Sequence, residues 1–262
     1  MEILKEKIQE EIHGFHGRVG FAIEVEDTKT FYLKSKEVFQ SASLIKIPIL
    51  LSILLANHKG EIDILQQITI TSENKVGGSG VLQTLSNGLT LSVKDLMTLM
   101  IIVSDNIATN LLIDLLGMEA INTAFKELGL KQTKLNRKMM DFAAIKEGKD
   151  NQTTPEEIVH CLKLVNEFNE HFGIDGQNIA KEMLKHQQFR EKLPALVDED
   201  KILVMNKTGE LSNVEHDCAI FDYHGRICHV AVLMDGLNDQ ESAKQTIRKI
   251  GKHIYDFFIR TQ

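Results

Sequence analysis

Cysteine is scarce in this 262-residue chain, which has only Cys161, Cys218 and Cys228. An odd number with no short paired spacing excludes a disulfide framework and a zinc knuckle; the three read as small buried residues. Long apolar runs are missing too. The longest, Ile47 to Ala56, contains Pro48 and Ser52 and is too short to cross a bilayer. Basic blocks are absent: 30 basic residues are scattered among 37 acidic ones, for a net charge of −7. That excludes a nucleic-acid stripe and a polybasic membrane patch. Internal repeats, low-complexity tracts and Pro/Gly/Ser linkers are not found. The opening segment "MEILKEKIQEEIHGFHG" has no apolar stretch of the secretory kind. The chain is therefore expected to be a soluble monomer, cytoplasmic as written or secreted and trimmed of its signal. Its expected partner is a small-molecule substrate, with no cofactor or metal, no nucleic acid and no membrane span.

What is present is a clear alternation of patterns. A short first helix carries Ile8, Ile12 and Phe15 on one stripe and stops at Gly14 and Gly17. "RVGFAIEVEDTKTFYLKS" reads as two strands with a tight turn at Glu26 to Lys29. From Ser43 to about His186 the period becomes helical. "SVKDLMTLMIIVSDNIATNLLIDLLG" runs from a cap at Ser92 to Gly117, and "TPEEIVHCLKLVNEF" opens on Thr154, Pro155 and Glu157. Strands return in "KILVMNKTGE", "HDCAIFDY" and "RICHVAVLMDG", and a last amphipathic helix runs from about Gln240 to Ile259. The two strand-rich ends are expected to share one antiparallel sheet. This is an α/β (α+β) fold: a sheet domain of residues 1–40 and 190–262, flanked by the terminal helices, with an inserted all-helical domain over 41–189.

Three short motifs carry chemistry. In "FQSASLIKIPILLSILL", Ser43 and Lys46 lie three apart at the start of a helix-length apolar run. Free N–H groups and the positive dipole end gather there. A lysine in apolar surroundings disfavours its ammonium form and can act as base toward the hydroxyl. A helix cap with a snorkelling lysine fits equally well. The same spacing recurs at Ser72 and Lys75, but a loop follows it. Ser104-Asp105-Asn106 interrupts an apolar helical stretch, where such side chains favour caps and turns. Either two short helices meet there or a polar edge faces a cleft, and the two readings are compatible. Lys207-Thr208-Gly209 ends a strand, offering a cation and a hydroxyl for a carboxylate beside a residue that permits close approach, or else a simple strand-end turn.

Both tripeptides following Ser-x-x-Lys in order should occur by chance in roughly one such chain in a thousand. The ordered set resembles class A β-lactamases and penicillin-binding proteins. The resemblance extends to "GGSGVLQTL", "MIIVSDNIATNLLID", "LGL" with Thr133, and "TTPEE". It implies a β-lactamase-like fold with the active site where the two domains join. Ser43 would be acylated by a β-lactam carbonyl, with Lys46 taking its proton directly or through water. Ser104 would relay a proton to the leaving nitrogen, and Asn106 would bind the substrate amide and steady Lys46. Lys207 and Thr208 would hold the carboxylate, with an oxyanion hole from the backbone N–H groups of Ser43 and of Glu210, the residue after Gly209.

Two positions depart from the family pattern. In "LNRKMMDFAAIKEGKDNQTTP", Leu135, Asn136 and Arg137 match the start of the family's loop, but Met139 stands where the water-activating glutamate belongs. Asp141 or Glu147 would replace it only in a rebuilt loop. Glu210 puts an acid where small residues are usual. His216 falls where the family often keeps a cation for the carboxylate, while His224 and His229 read as surface or edge residues. The expected activity is a serine β-lactamase-type hydrolase with slow deacylation. A penicillin-binding peptidase- or esterase-like acyl hydrolase, or a sensor that binds β-lactams without turnover, remains open on the sequence.

Overall fold

The computed structural model describes residues 1–26 and 29–260; the turn expected at Glu26 to Lys29 has its two central residues, Asp27 and Thr28, outside the described residues. In chain order the elements are α1 (Glu2–Ile12), β1 (Arg18–Val25), β2 (Lys29–Leu33), β3 (Phe39–Gln40) and α2 (Lys46–His58). There follow β4 (Gln67–Thr69), β5 (Thr90–Ser92), α3 (Val93–Ile102), α4 (Asn106–Leu116) and α5 (Met118–Glu127). Next come α6 (Phe142–Lys146), β6 (Gln152–Thr153), α7 (Pro155–Asn166) and α8 (Gly173–Lys185). The chain closes with β7 (Leu203–Leu211), β8 (Val214–Tyr223), β9 (Arg226–Asp235) and α9 (Gln240–Arg260). It divides into two compact units, one of residues 1–44, 153–163 and 189–262, the other of residues 45–152 and 164–188.

The first unit is built on the five-stranded sheet β2-β1-β9-β8-β7, in which the four adjacent pairings are antiparallel. The strands from both ends of the chain thus share one sheet. Alternation decides its buried face: Val19, Phe21, Ile23 and Val25 of β1 line up with Val230, Val232 and Met234 of β9. Against them pack Leu4 and Ile8 of α1 and the stripe Ala243, Ile247, Ile250, Ile254 and Phe258 of α9, spaced at the helical period. β7 closes the sheet as an edge strand, leaving one side of its backbone free of a strand partner.

The second unit is organised around α2. Every residue of this helix from Lys46 to Ala56 is buried, as expected of a helix that is apolar all round. It packs against α3, α4, α5 and α8. Pro48 is tolerated because it sits in the first turn, where its missing N–H would lack a helical partner anyway. A short antiparallel ladder, β4 with β5, accompanies the helices. Ser92 caps α3 through a capping box with Asp95; in the first unit, at the start of α7, the Thr154 hydroxyl accepts from the Glu157 N–H at 3.2 Å. The stretch that reads as one helical run is two helices, α3 and α4, parted at Val103 to Asp105.

In the first unit α9 approaches the chain closely at Leu193, where a Cβ on Gly251 would collide with the Leu193 carbonyl. The colliding atoms are backbone and cannot rotate away. Gly251→Ala is expected to lower unfolding free energy by about 3 kcal/mol, measured by urea denaturation; a change too small to measure would contradict this packing.

Candidate functional site

In the first unit the candidate residues gather where β7 meets the 3-10 turn of Ala42–Ile45. Gly209 on β7 is paired in register with His216 on β8. A Cβ on Gly209 would lie 3.2 Å from Ala42 Cβ and 3.3 Å from the backbone N of Ser43. The absence of a side chain therefore lets the strand edge meet the start of the turn. Ala42 itself is left-handed, φ 44°, a conformation that a non-glycine residue holds only when its surroundings impose it. Ser43 thus sits on a strained turn beside an unpaired strand edge.

Lys207 is fully buried, and its Nζ donates to Thr208 O at 2.8 Å. Burial pulls its ammonium down to about 8, against the opposing pull of Cys218 and Asp217. Thr208 is buried as well. Glu210 does not crowd this group: its carboxylate pairs with Lys244 at 3.1 Å, and the buried Lys192 lies 3.9 Å away. Lys192 also donates to the carbonyls of Gly209 and His216, each at 3.2 Å, and pairs with buried Glu215 at 2.5 Å. This lysine fixes the Gly209–His216 register pair through both of its carbonyls.

The expectation of a cation at His216 fails. The ring is fully buried. Its Nδ1 accepts from the Met234 N–H at 3.0 Å, and Nε2 bonds to Gln40 O at 2.7 Å. The proton therefore sits on Nε2. Desolvation pulls the imidazole down to about 4, although the bond to Gln40 works the other way. His216 is neutral at physiological pH. His224 is exposed, as expected, but His229 is buried in β9, because the strand continues through it at the centre of the sheet.

In the second unit the buried Lys46 donates to Ser104 O at 2.6 Å, Ser104 Oγ at 3.0 Å and Asn106 Oδ1 at 2.9 Å. These neutral oxygens match the three hydrogens of an ammonium. Their presentation requires the break between α3 and α4. Ser104 is left-handed, φ 55°, so both its carbonyl and its hydroxyl reach Lys46. Asp105 stabilises that break on both sides. Its Oδ1 accepts from the N–H groups of Ile107 and Ala108 at 2.9 and 3.0 Å, capping α4. Its Oδ2 accepts from Val81 and Leu82 at 2.7 and 2.9 Å, holding the incoming loop.

One turn along α4 from Asn106, Asn110 grips the loop that contains Met139. Its Oδ1 accepts from the Met139 N–H at 2.8 Å, and its Nδ2 donates to the Met139 carbonyl at 3.1 Å. The loop is closed at its base by the Lys134–Gln152 backbone bridge, by Asn151, and by Arg137 to Asp150 at 2.8 Å. Met139 is buried. Asp141 is exposed and caps α6, and exposed Glu147 pairs with Lys149. Neither acid replaces the one missing at Met139.

The structure thus assembles Lys46, Ser104 and Asn106 in one cluster, and Ser43 with Gly209 in another, joined by the chain itself at Leu44 and Ile45. Sequence reasoning missed Asn110 and Lys192. The i, i+4 spacing of Asn106 and Asn110 was the available signal for the first; Lys192 lies in an irregular segment and gave none.

A sequence model of the beta-lactamase enzyme family matches residues 3–258. A beta-lactamase of Rhodobacter capsulatus is 24% identical over 213 residues, 79% of this chain and 71% of the relative. Among solved structures, a beta-lactamase from Sphaerobacter thermophilus DSM 20745 is 29% identical, with TM-score 0.89 over 97% of this chain and 96% of the other. PBP-A is similar in fold at 23% identity, with TM-score 0.87 over 99% and 97% of the chains; a mutant of it has been solved as an acyl-enzyme complex with penicillin G.

Asp105→Ala strips a cap and leaves four backbone N–H groups without their acceptor. It is expected to cost about 2–4 kcal/mol of stability, read from thermal unfolding. A loss below about 0.5 kcal/mol would contradict this account of the helix break.

Proposed function

The chain belongs to the beta-lactamase enzyme family, and on that premise we propose that it is acylated at Ser43 and releases the acyl group slowly. It is a serine β-lactamase-like hydrolase. Its substrate is a β-lactam or a related acyl compound. Ser43 Oγ attacks the carbonyl, and Lys46, three residues on, takes the proton directly or through one water. With that proton Lys46 is an ammonium whose Nζ–H donates to Ser104 Oγ, so the Ser104 hydroxyl can pass its own hydrogen on and take one from Nζ in its place. That relay gives the proton a route from Lys46 through Ser104 to the leaving nitrogen.

Asn106 steadies Lys46 through its Oδ1 and keeps one Nδ2 hydrogen for a substrate amide beyond its bond to Gly77 O. Lys207 and Thr208 bind the substrate carboxylate, Lys207 carrying its charge below about pH 8. The N–H groups of Ser43 and Glu210 receive the oxyanion. The contact of Gly209 with the Ser43 turn supports that assignment, and the pairing of the Glu210 carboxylate with Lys244 keeps an acid from repelling the substrate.

Deacylation needs a base for water. The observation that carries the slow step is Met139, buried and clamped through its backbone by Asn110, at the point of the loop where the resemblance calls for glutamate. A thioether takes no proton. The same observation favours a second reading, a penicillin-binding protein for which the adduct is the end point.

Ser43→Ala is expected to abolish labelling by a fluorescent penicillin, and undiminished labelling would reject Ser43 as nucleophile. Met139→Glu, which leaves the backbone clamp intact, should shorten the acyl-enzyme lifetime by about 10²-fold or more. An unchanged lifetime would show that this position does not face the hydrolytic water.

A further inference from the structure

We propose that His216 is a positioning residue for Ser43, a neutral strut whose Nε2–H bond to the Gln40 carbonyl holds the nucleophile's turn against the edge of the sheet. The inference rests on the reading of Ser43 as nucleophile.

Three observations carry it. First, the turn contains a strained residue. Ala42 is left-handed at φ 44°, in a turn that Leu44 N–H to Ser41 O at 3.0 Å and Ser41 Oγ to Ala42 O at 3.3 Å hold locally. A strained conformation of this kind persists when the surroundings over-determine it. Second, His216 reaches that turn from a rigid base. Nε2 bonds to Gln40 O, three residues before Ser43, at 2.7 Å. The opposite ring nitrogen is locked by the Met234 N–H of β9 at 3.0 Å, and the Phe39 ring stands edge-on to the imidazole at 6.4 Å between centroids. Third, the strut and the contact it maintains belong to one register pair. Gly209, opposite His216, is the residue whose missing Cβ leaves room for Ser43 N. Lys192 grips the carbonyls of both partners.

The ring therefore does a different job from the cation expected at its position. Both of its nitrogens are used, one as acceptor and one as donor, and each is aimed at backbone. A protonated ring would present a hydrogen to the Met234 N–H, so the neutral form is the one the fold requires. What the strut fixes is the distance between Gly209 and the Ser43 N–H, a dimension on which acylation depends and ground-state binding does not.

The test separates the two nitrogens. In His216→Gln the side-chain amide reaches the Nε2 position and keeps a donor for Gln40 O. In His216→Asn the carbonyl oxygen keeps an acceptor for Met234 but nothing reaches Gln40. Acylation by benzylpenicillin is followed by competition with a fluorescent penicillin, with thermal unfolding of each variant in parallel. The expected result is that His216→Gln acylates within about threefold of the wild type. His216→Asn should be slower by on the order of 10²-fold in the acylation step, with the affinity of the non-covalent complex little changed. Equal rates in His216→Asn and wild type, or equal slowing of both variants, would overturn the proposal. Should His216→Asn not fold, His216→Gln decides alone, and slow acylation by the folded protein overturns it. Ser43→Ala serves as control: persistent labelling of that variant rejects the nucleophile, whereas its loss together with a fast His216→Asn rejects the strut alone.

Discussion

A lysine with no exposed surface must find oxygen for each of its hydrogens, and much of the second unit is arranged to supply it to Lys46. An unpaired buried ammonium would cost several kcal/mol. The three partners come from Ser104 and Asn106, and they are available only because the helical stretch is interrupted between α3 and α4. The interruption in turn needs a left-handed Ser104 and an Asp105 that satisfies four backbone donors at once. Lys46 is therefore embedded in neutral oxygens, one of which, the Ser104 hydroxyl, can itself donate.

The sheet unit solves a complementary problem. The turn that carries Ser43 lies close against a strand edge, and Gly209 removes the side chain that would prevent it. Buried polar groups then fix the edge, Lys192 through two carbonyls and His216 through Gln40. Such groups stabilise the fold little in net terms, since each ion pair offsets its own desolvation; they specify where the backbone stands. In the reaction proposed above, the group missing from this arrangement is a base for deacylation. Met139 is held in place through its backbone, so the slow release proposed above would follow from its side-chain type.

Much of this could be read from residue patterns. Strand-like runs between turns marked β1, β8 and β9, and the helix-length apolar run after Ser43 marked the buried α2. At Ser104-Asp105-Asn106 the helix-break reading holds, and the break presents polar groups to Lys46. The failures share a cause. His216 and His229 were judged by residue type, while their ionisation and exposure depend on how far a strand extends and what covers it. β8 starts at Val214, so Glu215, His216 and Asp217 are all buried despite their polarity. Lys192 is legible only in three dimensions, because it lies in an irregular segment and its partners come from β7 and β8.

The most direct test of the central claim is the intact mass of the protein followed over time after mixing with benzylpenicillin. The account predicts an adduct of one penicillin per chain that forms and then persists while little hydrolysed product accumulates. An adduct that vanishes rapidly as product builds up would contradict the assignment of Met139 to the water-activating position, and no adduct at all would contradict the Ser43–Lys46 centre.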